Sequence, residues 1–139
     1  MKPFGITLLR VTVGAILLMH AYRMMLVTRP QATAGFIAHG MGFSHATILA
    51  WIVIVVHALG GLLLVVGMFT RPVAALNALI LGLVLVRVNL TQGFFLAGAE
   101  EGGLYRATVA GYEFILLLTV STLALLLLGS GPLALRPSK

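Results

Sequence analysis

No cysteine occurs among the 139 residues, so disulfide exchange, thiolate ligation and cysteine-held iron–sulfur clusters are excluded for this chain by itself. Any redox role must use something bound or borrowed. Charge is nearly as scarce: 9% of the side chains are charged and three are acidic, against 60% hydrophobic. Mean hydropathy is +1.13, whereas a soluble domain carries about a quarter charged residues. The composition therefore predicts an integral membrane protein. Long polar stretches are missing too, which leaves no space for a soluble module and predicts one domain over residues 1–139.

Four apolar stretches remain, roughly Phe4 to Val27, Thr47 to Phe69, Pro72 to Leu90 and Tyr105 to Leu128. Each is close to the ~20 residues that a helix needs to cross a ~30 Å hydrocarbon layer. The expected fold is all-α, a four-helix bundle in the membrane. Met1-Lys2 followed by an apolar run imitates a signal peptide, but no small-x-small cleavage site follows before Tyr22-Arg23, and the run is read as the first span. The net charge of +6 comes from basic residues placed singly, with no cluster to follow a phosphate backbone, so no nucleic-acid partner is expected. Lys2, Arg71, Arg136 and Lys139 fall on one side, against Arg23, Arg29, Arg106, Glu100 and Glu101 on the other. That bias favours both termini on the cytoplasmic side.

Thr28-Arg29-Pro30 reads as a stop, because proline biases the residue before it away from helix. Gln31 to His39 is long enough for about two helical turns, giving a short interfacial helix or re-entrant turn in which Phe36 and Ile37 lie against the bilayer or dip into it. Ser44 is the expected N-cap of the second span. Thr70-Arg71-Pro72 joins spans two and three almost without a loop, which forces antiparallel neighbours. Gly60, Gly61, Gly67 and Gly82 are expected to let backbones approach closely. Phe94 and Phe95 are placed at the far interface.

What remains is a set of polar residues inside apolar spans. His57 stands at the centre of WIVIVVHALGGLLLVVGMFTRP. By helical rise, His20 lies ~24 Å along span one, within about 6 Å of the outer boundary of the hydrocarbon layer; Arg87 reaches about the same level and Glu113 lies ~12 Å below that boundary. Arg23, Asn89 and Tyr112 belong to the same half, and Arg10 alone lies towards the cytoplasmic side. Charges in hydrocarbon cost about 2.5–3.5 kcal/mol each even on the lenient insertion scale, so they should face inward and pair. Arg87 and Glu113 are matched in depth and opposite in sign; the plain reading is that they lock spans three and four. A lone His57 is more often a hydrogen-bonded core histidine. Taken with His20, Arg87, Asn89, Tyr112 and Glu113, it points instead to a polar cavity running from the interface to mid-membrane. Such a cavity suits a quinone, whose carbonyl oxygens accept from imidazole or guanidinium while a histidine or carboxylate moves protons. Iron held by two histidines and a carboxylate, or haem clamped by His20 and His57, is weighed below quinone. The two histidines differ by ~9 Å in depth, and no Glu-x-x-His spacing is present. No metal site is assigned.

Leu8-Leu9-Arg10 with Gly14 and His20, then Gly60 to Arg71, Gly93-Phe94-Phe95, Gly111-Tyr112-Glu113 and Gly131-Pro132-Leu133 together resemble the DoxX family of small four-span membrane proteins. The likeness runs over nearly the whole chain. It implies a four-helix bundle with cytoplasmic termini in the plasma membrane of a prokaryote. It also implies a redox association, since the family name comes from a quinone-linked thiosulfate oxidoreductase and some members are described as membrane partners of redox-defence proteins. This chain departs from the family's habits: His57 stands where a glutamate commonly precedes the paired glycines. Asn89 to Phe95 replaces a His-x-Pro-Asn-Gly-Phe-Phe pattern, and His20-Ala21-Tyr22-Arg23 replaces His-Gly-x-x-Lys.

The function expected is support of electron transfer in the membrane, by quinone binding or as the membrane subunit of an oxidoreductase complex. His57, Glu113 and Arg87 are the expected catalytic set, and His20, Arg23, Asn89 and Tyr112 the expected cofactor contacts, with His20 and Arg23 at the cavity mouth. The expected partners are the bilayer and either a redox protein or a second copy of the chain. The competing reading is a non-catalytic assembly or anchoring subunit that uses Gly60, Gly61 and Gly67 to hold a larger enzyme. A transporter is weaker, because no inverted repeat or broken-helix pair is evident.

Overall fold

The computed structural model describes residues 2–91, 93–94 and 111–136, with side chains from Phe4 onward. Helix α1 (Lys2–Tyr22) runs on through a wider π-helical turn, Arg23–Val27, so that Phe4–Val27 is one apolar rod long enough to cross a membrane. The stop expected at Thr28-Arg29-Pro30 is made by Arg29 itself, at φ 66. The proline ring crowds the right-handed helical region of the residue before it, and the left-handed backbone at Arg29 redirects the chain. Pro30 then sits in the first turn of α2 (Arg29–Gly35), where its missing N–H costs no hydrogen bond. A second π-helical turn, Phe36–Gly40, follows. Ile37 in that turn is buried against Ala46 and Ala50 of the next helix, so its side chain turns to protein rather than to the bilayer surface.

Helices α3 (Ala46–Val66) and α4 (Thr70–Arg87) are both long and apolar enough to span, and α5 (Glu113–Leu128) is a shorter apolar helix of 16 residues. The expected start of the last span at Tyr105 lies outside the described residues, as does Phe95. Ser44 does not cap α3. His45 occupies the N-cap, and the Ser44 hydroxyl lies 3.2 Å from His45 Nδ1 instead of turning to the helix.

Gly67, at φ 78, ends α3: its N–H donates to Leu63 and Leu64 carbonyls, and the Met68 N–H returns to Leu63 at 2.9 Å. This left-handed glycine cap satisfies carbonyls that the helix end leaves open. Phe69, also left-handed at φ 51, starts α4 at once. The first half of α1 and the tail after α5 lie at this end of the bundle. The tail crosses the turn, with Leu135 N–H on Val66 O at 3.1 Å and Arg136 N–H on Gly67 O at 3.3 Å. Which side of a membrane the termini occupy remains the charge-based expectation given above.

The broadest interfaces are α1 on α3 and α4 on α5. Val13, Leu17, Leu64, Ala74, Leu81, Leu118 and Leu125 form the common core. Leucines as large as Leu8, Leu79, Leu117 and Leu127 point outward and are more than half exposed. In water that would be an aggregation surface; beside acyl chains it costs nothing, which is why inner and outer faces are equally apolar here. With no hydrophobic drive between helices, contact comes from small residues. A Cβ on Gly14 would lie 2.8 Å from the Gly61 carbonyl oxygen, and one on Gly61 2.7 Å from that of Gly14. The two backbones touch. Gly60 does the same work across α3 and α4, where a Cβ would meet Asn77 Nδ2 at 2.6 Å. Gly82, expected in the same role, faces open space with nothing within 4 Å of a built Cβ. Buried helix polar groups turn back on their own helices: Asn77 Nδ2 donates to Val73 O at 2.9 Å, Thr119 Oγ1 to Ile115 O at 2.6 Å and Thr122 Oγ1 to Leu118 O.

Candidate functional site

Helices α3 and α4 are clamped near their shared turn by Gly60 and Asn77. Towards the far end the bundle leaves a half-open cavity of about 490 Å³, within the usual range of about 300–1,000 Å³ for small-molecule pockets. Leu49, Ile52, Val53 and His57 of α3 form one wall, and Ile80, Leu81, Leu83 and Val84 of α4 another. Ile115 of α5 and His20 and Met24 of the first span close the back. The connection between the first two spans supplies the rest: Thr33, Phe36, Ile37, Met41 and Phe43. The lining is almost wholly apolar, with two imidazoles in it.

His57 is the most buried lining residue of α3, 5% exposed, and its Nδ1 is buried with no hydrogen-bond partner. The Val53 carbonyl one turn back approaches the ring but completes no well-formed bond. A buried ring nitrogen without a partner costs roughly 1–3 kcal/mol, so its placement on a cavity wall calls for a ligand or water. His20, half-buried, stacks on Phe114 with centroids 6.2 Å apart and planes at 23°. It also lines a shallower groove on the outside of the first span, with Ile16, Met19, Tyr22, Arg23 and Val27. His20 is thus the residue that divides cavity from groove.

The other expected site residues are placed around this cavity and not in its wall. Arg87 is exposed, its guanidinium over the Phe43 ring at 5.6 Å. Arg87 thereby reaches the segment that walls the cavity. Glu113 is partly buried at the first position of α5, its N–H on Phe94 O at 3.1 Å, one residue before the Phe114 that His20 stacks on. Tyr112 is edge-on to Phe94 at 5.1 Å and 83°. Asn89 lies in the short 3-10 turn Asn89–Thr91 beyond α4. Arg23 is exposed on the outer groove, so it stands outside the cavity that His20 borders. Among the described residues no three histidines, cysteines or carboxylates come together to hold a metal ion.

The residues not anticipated are those of the connection, Thr33, Phe36, Ile37, Met41 and Phe43, and the stacking partner Phe114. Their only signal was an apolar Phe-Ile pair within a polar stretch. The Arg87–Phe43 contact yields one expectation. Such a contact at an exposed site is worth about 0.5–1 kcal/mol, so Arg87→Ala should lower the melting temperature little. It should quicken amide exchange selectively through residues 36–45, as read by hydrogen–deuterium exchange mass spectrometry. Uniform exchange would show that Arg87 does not hold the cavity wall.

Fold and cavity together define a small helical membrane protein with a lipophilic pocket in the half remote from its termini. The DoxX family profile matches residues 5–90, more than half of the chain, and the chain belongs to that family, a family of membrane proteins. The match ends at Leu90, so Gly111-Tyr112-Glu113 and Gly131-Pro132-Leu133 lie beyond it. No curated protein and no solved structure matches the chain.

Proposed function

We propose that this protein supports electron transfer in the membrane by holding a quinone-class ring in the cavity beside His57, alone or as the membrane subunit of an oxidoreductase complex. The observation that carries the reading is the unpartnered, buried Nδ1 of His57 in an otherwise apolar cavity that His20 also lines. A quinone fits that donor set: one imidazole N–H per carbonyl oxygen, with apolar walls for ring and tail. When bound, the ring supplies the two-electron, two-proton chemistry that the side chains lack. The chain's own contribution is to orient the ring through His57 and His20, to exclude water with Ile37, Leu49 and Val84, and to take protons at imidazole nitrogens. Glu113, beside the His20–Phe114 stack, is the nearest carboxylate in sequence to the cavity wall and the proposed proton acceptor. Both termini are placed on the cytoplasmic side, which sets the cavity in the outer half of a prokaryotic plasma membrane.

The anchoring reading loses its proposed surface. Gly60, Gly61 and Gly67 are buried and consumed in contacts with Asn77, Gly14 and Arg10 of the same chain, so they are not available to a partner enzyme.

The test is quinone titration of purified protein. His57→Ala should weaken binding about three- to tenfold, the loss of one neutral hydrogen bond. His20→Ala should act similarly and Glu113→Gln less, with melting temperatures unchanged. Indistinguishable binding in wild type, His57→Ala and Glu113→Gln removes the assignment.

A further inference from the structure

At the opposite end from the cavity, Arg10 is 1% exposed. Its Nη2 donates to Leu133 O at 2.6 Å, while Nε and Nη1 are buried with no partner. The guanidinium lies against Gly67, where a built Cβ would fall 1.4 Å from Nη1, so it stands level with the α3–α4 turn. Two more buried and unpartnered hydroxyls belong to this end, Thr7 one helical turn before Arg10 and Thr70 at the first position of α4, the latter 0% exposed. Arg71, beside Thr70, has a buried unpartnered Nε as well.

Among the described residues no carboxylate is placed to neutralise the group: the one described acidic residue, Glu113, opens α5 at the far end. A buried cation without a counter-charge costs several kcal/mol, and an unsatisfied buried donor in a native protein signals an ion or water. From this geometry we infer a binding site for a phosphate-class oxyanion at Arg10, with Thr70 and Arg71 contributing, closed over by the C-terminal tail. A guanidinium with three N–H bonds to spare beside free hydroxyls is matched to phosphate oxygens, which accept several charge-assisted bonds at once. The turn between two spans lies where headgroup phosphates are found, so the oxyanion is either a phospholipid headgroup or free phosphate. Entry requires the strap from Leu133 to Arg136 to lift, since it covers the guanidinium and is held by main-chain bonds to Val66 and Gly67.

The experiment uses full-length purified protein. In lipid-free detergent, melting is followed while inorganic phosphate replaces chloride at constant ionic strength, and native mass spectrometry counts phospholipid retained after washing. A phosphate-dependent rise in melting temperature, lost in Arg10→Met and reduced in Thr70→Val, identifies free phosphate. Absence of that rise, with one tightly held phospholipid that both variants lose, identifies a headgroup. If the wild-type protein neither responds to phosphate nor retains phospholipid, the site does not exist, whatever the variants do.

Discussion

Gly61→Val is expected to abolish the folded bundle. The first atom of any side chain at Gly61 meets the Gly14 carbonyl oxygen at 2.7 Å, the Leu18 side chain at 2.8 Å and the Leu18 backbone nitrogen at 2.9 Å. Two of those three are main chain of α1 and cannot swing aside, so α1 must separate from α3 along the broadest interface in the molecule. Overpacking a tight core costs about 1–3 kcal/mol per site even where neighbours relax, and valine adds two further methyl groups to a clash that alanine already makes. Gly61→Ala should therefore lower the melting temperature measurably, and Gly61→Val should leave no monodisperse species on size-exclusion chromatography. Gly82→Ala is the internal control. It has open space around it and should be neutral or stabilising, because alanine is favoured over glycine in a helix by about 0.5–1 kcal/mol. Equal effects at Gly61 and Gly82 would show that the α1–α3 contact is not as close as described.

The contrast between those two glycines shows what could be read from residues alone. Three membrane spans and a tight junction between the second and third follow from hydropathy and proline chemistry and are seen, although the turn falls at residues 67–69 and Thr70-Arg71-Pro72 already belongs to α4. Which glycine faces a neighbour does not follow, since Leu79 and Leu117 face outward while Leu64 and Leu125 are core. In a span whose two faces are equally apolar, hydropathy carries no rotational information. Polar residues restore it only when deeply placed. His57, at mid-span, had one tolerable direction and took it. Arg87, Asn89, Tyr112 and Glu113 stand at helix ends, where a side chain reaches polar surroundings whichever way it turns, so depth alone does not fix where they point. The cavity wall contributed by Thr33 to Phe43 was hidden for another reason: it is made by the connection packing onto α3, a tertiary contact with no periodic trace in the sequence.

Gly67→Ala should release the C-terminal strap while sparing the cavity at the far end. Gly67 is held at φ 78, where a residue with a Cβ is disfavoured by about 1–2 kcal/mol. The new methyl would also fall 1.4 Å from Arg10 Nη1 and 2.7 Å from Ala134 Cβ. Arg10 is the one neighbour with a flexible side chain, but it is enclosed and tied to Leu133 O. Moving it breaks that bond, and the main-chain bonds of Leu135 and Arg136 to Val66 and Gly67 go with it. Limited proteolysis with a protease of broad specificity should then cleave within residues 131–136 far faster than in the wild type. The double variant Gly67→Ala with Arg10→Ala should recover part of the protection, because the clash with the guanidinium is gone while the φ cost remains. The His57 cavity is lined by no residue of this turn or tail, so quinone titration of Gly67→Ala should match the wild type within error. If the single variant keeps its tail protected, Arg10 has space to move that the packing does not show; if its quinone titration changes as well, the two ends of the bundle are coupled through α3.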